Sequence, residues 1–144
     1  MALPSYAITS DTELVTAVRD LTSYDDTTDE LPGDDTTGQL SGLIDQAKRD
    51  MHTKTGSDGW YSDLGYGNAL VAHLAIISKA AVENINLVSY TIGNERVEMA
   101  NADPEDSQQI QTWAKQVKEG LDNSDVEFEN SQSLSLRNTA SYIG

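Results

Sequence analysis

Eleven of the fourteen residues in 69–82 are apolar. At that density no face is left for solvent, so the segment predicts a helix over 68–84 that other elements must surround. It is too short to span a bilayer, which takes about 20 apolar residues, and it carries His73, Ser78 and Lys79. The rest of the chain has to supply the sheath.

Three segments offer one apolar stripe each. Ser10-Asp11-Thr12-Glu13 reads as a capping box, and Leu14, Ala17, Val18 and Leu21 follow at helical spacing, which predicts a first helix over 11–22. A second starts near Thr36 or Thr37, with Leu40, Leu43, Ile44, Ala47 and Met51 on one stripe. The last opens at Asp103-Pro104-Glu105-Asp106, with proline at the first helical position and acids near the positive dipole end. Its stripe is Ile110, Trp113, Ala114, Val117 and Leu121. The fold class is therefore mainly α: a small helical bundle around a central apolar helix.

Between these helices, 23–37 is polar and acidic and contains Pro32-Gly33, so it reads as a loop. Residues 53–68 are irregular and hold Trp60, Tyr61 and Tyr66; such a loop folds back to cap a small core. Before the last helix, 87–92 is β-rich, Gly93-Asn94 reads as a two-residue turn and 95–99 alternates again, which predicts a β-hairpin over 87–99. A lone hairpin is marginal in water, so it packs on the bundle or pairs with a neighbouring subunit. These elements make one domain over 1–122, followed by an extended C-terminal tail over 123–144. In the tail Val126 and Phe128 alternate with acids, and Leu134 and Leu136 alternate with serines. Such stretches read as plain disorder or as segments that become ordered on another chain.

Charge limits the partners. Twenty-four Asp and Glu face nine Lys and Arg, a net charge of −15. That surface repels phosphate and argues against tight DNA binding. It also repels itself in dilute buffer, and at molar salt, where the screening length is about 3 Å, most of this repulsion disappears. Five lysines against thirteen threonines add to the look of a protein from a salt-loaded cytoplasm, with an ordinary acidic protein as the alternative. No cysteine is present, so disulfides and thiolate metal sites are excluded. Residues 1–6 show neither a basic region nor a long apolar run, so no signal peptide is expected.

No motif for chemistry stands out. His52 and His73 are the only histidines, without the spacing of a metal site, and His73 reads as a hydrogen-bonded histidine in the core or at its boundary. The acids of 25–35 lack the alternation, central glycine and terminal glutamate of a calcium loop, so they read as a solvated loop. Phosphate loops, dinucleotide fingerprints and nucleophile elbows are missing. No enzyme activity, cofactor or metal is expected.

The element order resembles that of the head-to-tail connector, or adaptor, proteins of tailed viruses. The likeness covers roughly 9–122. It rests on the opening helix 13–21, the second helix 40–51, the alanine-rich helix 69–81, the stretch Val88-Ser89-Tyr90-Thr91-Ile92-Gly93 and the closing helix 110–121. Both inter-helix loops are longer than the pattern has, and the acidity is greater; with the salt reading, this points to a virus of halophilic archaea. The resemblance implies a non-enzymatic virion protein of the neck, made in the host cytoplasm. It forms a homo-oligomeric ring of about twelve subunits between the portal protein and a tail or neck completion protein. The ring extends the DNA channel without binding DNA specifically, and no membrane is involved. Contacts with neighbours are then expected at Tyr90, Ile92, Arg96 and Val97 of the hairpin and at Val126, Phe128, Leu134, Leu136, Tyr142 and Ile143 of the tail. The alternative is a small acidic halophilic binding or scaffold module acting as a monomer or dimer.

The melting temperature rises between dilute buffer and molar KCl if salt relieves self-repulsion; a flat curve defeats the halophile reading.

Overall fold

The computed structural model describes residues 7–128. The protein is mainly helical, with helices α1 (Asp11–Thr22), α2 (Gly38–Thr55), α3 (Leu64–Val82) and α4 (Pro104–Asp122). A two-stranded antiparallel hairpin, β1 (Asn86–Ser89) and β2 (Glu98–Ala100), lies before α4. A 3-10 turn, Gly59–Tyr61, sits between α2 and α3.

α3 is the centre. Leu70, Val71, Ala72, Leu74, Ala75 and Ile76 are completely buried, and α1, α2, α4 and the 3-10 turn all pack against it. The surrounding helices contribute the expected stripes, from Leu14 and Val18 in α1 to Trp113 and Val117 in α4.

α3 begins four residues earlier than the apolar pattern indicates. Asp63 caps it, accepting from the Tyr66 N–H at 2.9 Å. Gly65 and Gly67 in its first turn look like helix breakers, yet close approach requires them. A Cβ on Gly65 would lie 2.6 Å from the Gly120 carbonyl oxygen, and one on Gly120 would lie 2.5 Å from that of Gly65. The two glycines let α3 and α4 touch backbone to backbone, a gain that offsets the helix propensity lost, about 1 kcal/mol per glycine.

α1 starts with its capping pair: Ser10 Oγ accepts from the Glu13 N–H at 3.2 Å, while the Glu13 carboxylate accepts from the Thr9 N–H at 2.6 Å. α4 has Asp103 as N-cap, its carboxylate accepting from the Asp106 N–H at 2.9 Å, and proline in its first turn.

The acidic loop 23–37 departs from the expectation of a solvated loop. Leu31 and Tyr24 are buried in the core. Arg19 holds the loop from α1: its guanidinium donates to the carbonyls of Tyr24 (3.2 Å), Leu31 (3.1 Å) and Gly33 (2.6 Å). The Asp34 carboxylate accepts from the backbone N–H groups of Thr36 and Thr37 at 2.8 and 2.9 Å. These bonds hold its pKa down, to about 2.

The hairpin is shorter than expected and its connection longer. Register pairs Asn86 with Ala100, Leu87 with Met99 and Ser89 with Glu98, with a bulge between Leu87 and Ser89. Gly93-Asn94 is not a two-residue hairpin turn. The Asn94 N–H reaches the Thr91 carbonyl at 3.0 Å, with Gly93 in third place at φ +91°, where a type II turn demands positive φ. The reason is packing: Ile92 and Val97 are drawn into the core, which pulls 90–97 out of the ladder.

The packed body also runs past 122. Ser124 and Phe128 are buried, and Val126 packs on the core. The tail residues Leu134, Leu136, Tyr142 and Ile143 lie outside the described residues.

Leu74→Asp places an unpaired carboxylate at the middle of α3. That costs several kcal/mol against a total stability of about 5–15 kcal/mol. We expect loss of cooperative melting by circular dichroism; a variant that still melts cooperatively contradicts the central placement of α3.

Candidate functional site: the hairpin and the cleft beneath it

α2, α3 and the hairpin enclose an open cleft of about 470 Å³, with Ile77, Leu87 and Ile92 on its apolar side and Asp50, Lys54 and His73 on its polar side. His73 sits midway along α3 and is only 2% exposed. Its Nε2 lies 2.9 Å from Asp50 Oδ2 on α2, and its Nδ1 lies 2.7 Å from the Tyr90 hydroxyl just after β1. The Tyr90 ring lies alongside, at 5.5 Å between centroids.

The chemistry assigns the protons. An ionised carboxylate only accepts, so Nε2–H donates to Asp50. In the neutral ring Nδ1 then accepts from the Tyr90 hydroxyl. Burial pushes the Tyr90 phenol well above the usual tyrosine range, and the nearby Asp50 charge pushes it further. Tyr90 therefore stays protonated and donates. Asp50, His73 and Tyr90 spend their polar atoms on one another, which ties the hairpin to two helices. Of the two places the sequence allows, core or boundary, His73 takes the core, hydrogen-bonded at both nitrogens.

Elsewhere the candidate groups are similarly paired. His52 Nδ1 meets Asp58 at 2.6 Å on the surface. Asp11 accepts from both Lys48 and Tyr61, and the Lys48 ammonium lies 5.8 Å from the Trp60 ring. Asp63 lines a second cleft of about 500 Å³ between the start of α3 and the end of α4. Burial alone raises the Asp63 pKa, but N–H donation from Tyr66, Asp125 and Gly65 and the Ser124 side chain outweigh it, so the carboxyl titrates below its usual range. Among the described residues no group of three or more His, Cys, Asp or Glu is placed to hold a metal ion, and no helix is long and apolar enough to cross a membrane.

The partner-contact candidates fall in different places. Tyr90 belongs to the His73 latch. Ile92 and Val97 are buried in their own chain, and Phe128 packs on Tyr66 with ring centroids 5.1 Å apart. Val126 is partly buried and Arg96 is exposed. The hydrophobic residue that the hairpin does present is Val88, 59% exposed on β1. Unbroken alternation puts Val88, Tyr90 and Ile92 on one face. The bulge between Leu87 and Ser89 breaks that parity, leaving Val88 outside while the other two turn inward.

Comparison of the chain with protein-family models, with curated proteins and with solved structures finds no match in any of the three.

Tyr90→Phe strips the His73 Nδ1 of its partner. An unsatisfied buried acceptor costs about 1–3 kcal/mol, so denaturant unfolding shifts by that amount and amide hydrogen exchange over 86–100 accelerates. Unchanged exchange in the hairpin means that the latch does not hold it.

Proposed function

We propose that this protein is a structural subunit of a virion neck: a head-to-tail connector, or adaptor, of a tailed virus that infects a halophilic archaeon. In this reading it has no enzymatic activity. About twelve copies form a ring against the portal protein, present a platform to a tail or neck completion protein and extend the channel through which DNA passes. What supports it is the arrangement of elements. A buried central helix wrapped by three amphipathic ones, with a hairpin inserted before the last, is the order that the resemblance is built on. The net charge of −15 fits a channel wall that does not retain DNA, although screening at high salt confines that effect to close approach.

One observation favours the second reading, a monomeric or dimeric binding module. Ile92, Val97 and Phe128 are satisfied within one chain, so the body is more self-contained than a subunit that depends on its neighbours for a core.

Co-expression with the portal protein of the same virus separates the two. Co-purification in molar KCl, with ring-shaped particles in negative-stain microscopy, is the outcome expected of an adaptor. A compact monomer by small-angle scattering that does not associate with portal sinks the adaptor reading in favour of the module.

A further inference from the structure

The two edges of the hairpin are not equivalent. On the β2 side, Val97, the residue before the strand, is tied to α4: its N–H donates to Gln111 Oε1 at 3.1 Å, and its carbonyl accepts from Gln111 Nε2 at 2.5 Å. The side-chain amide of Gln111 does there what a third strand would do. On the β1 side, β2 is the sole strand partner, and among the described residues no backbone group of a helix or loop is hydrogen-bonded along the other edge. Val88, at 59% exposure, stands on that open strand.

Folded proteins guard such an edge with charge, proline or a cover. β1 is short and bulged, which also guards an edge, but it lacks charge on a chain that has acids to spare: 85–94 contains no charged residue, while the whole molecule carries −15. Two copies repel each other over most of their surfaces, so an uncharged strand edge is where approach costs least. A second uncharged run, Ser131-Gln132-Ser133-Leu134-Ser135-Leu136, has the period-2 alternation of a strand. It follows Phe128, which is packed on Tyr66 at the start of α3. The three residues 129–131 span at most about 10 Å. The rise along α3 from Tyr66 to His73, whose Nδ1 meets the Tyr90 hydroxyl just after β1, takes about 10 Å at 1.5 Å per residue. The linker is no longer than that rise, which favours the β1 of a neighbouring copy over its own.

We infer that the open edge of β1 takes residues 131–136 of a neighbouring copy as an added strand. Backbone hydrogen bonds give the attachment, and the leucine face lies beside Val88. The contact is heterologous, edge on one copy and tail on the next, and so propagates into a ring if the rotation closes. It rests on the assembly reading above only in requiring that copies meet.

The cysteine-free chain allows a clean test. Full-length Val88→Cys protein is mixed, in molar KCl under mild oxidation, with full-length Leu134→Cys or Ser135→Cys protein. Because neighbouring residues of a strand point to opposite faces and the leucine face lies beside Val88, we expect a disulfide between the two chains with Leu134→Cys and its loss with Ser135→Cys. The double substitution Leu134→Asp with Leu136→Asp restores repulsion, and we expect loss of the assembled species in sedimentation with the circular dichroism spectrum unchanged. Three results overturn the inference: no disulfide with either tail variant, Val88→Cys pairing only with itself, or a disulfide confined within one chain in the Val88→Cys, Leu134→Cys double variant. Rings that bind portal without this cross-link discard the seam and keep the adaptor; a cross-linked assembly that ignores portal supports the seam and discards the adaptor.

Discussion

Burial of α3 on all sides is the constraint from which the rest follows. A helix with no solvent face must have its polar groups paired inside, and it draws every neighbour into contact. Thirteen of its nineteen residues are buried, among them His73 and Lys79. His73 is answered by Asp50 and Tyr90. Lys79 is answered by Asp106 of α4 at 2.9 Å and lies 5.7 Å from the Tyr24 ring. Tyr24 in turn donates to Glu83 at 2.8 Å. His73 and Lys79 thus select different neighbours, which fixes the rotation of the surrounding helices as apolar packing alone does not, whereas the buried Ser78 hydroxyl has no hydrogen-bond partner among the described residues. Removing one partner of such a pair leaves a buried charge or dipole uncompensated, a larger loss than the net worth of the pair.

The acid excess makes the few cations decisive. Arg19, Lys48, Lys79 and Lys118 each sit in an ion pair or beneath a loop. Most carboxylates are left to face solvent and one another. The body therefore combines an internally neutralised core with a surface whose repulsion depends on ionic strength.

What could be read from the sequence was what local chemistry encodes. The capping box of α1 and the Asp-Pro opening of α4 are complete within a few residues, and both helices lie where those signals put them. The features that escaped are non-local. Gly65 and Gly67 look like breakers until Gly120 is seen against the first and the Trp60 carbonyl against the second. Gly93-Asn94 has the chemistry of a tight hairpin turn, but the pull of Ile92 and Val97 into the core overrides it. Arg19 gives no sign of its role because its acceptors are main-chain carbonyls five, twelve and fourteen residues away. Asp50, His73 and Tyr90 come from three separate elements, and no spacing links them. Phe128 reads as one member of an alternating tail, yet its place is beside Tyr66.

The way Arg19 holds the acidic loop bears on how the molecule behaves in brine. Mobile ions weaken the pull of charge on charge. They do little to an N–H lodged against a carbonyl oxygen 2.6 Å away inside a partly buried turn. The stretch richest in carboxylates is thus fastened by bonds that ionic strength barely touches. Its outline stays constant while the forces across its surface rise and fall with the medium.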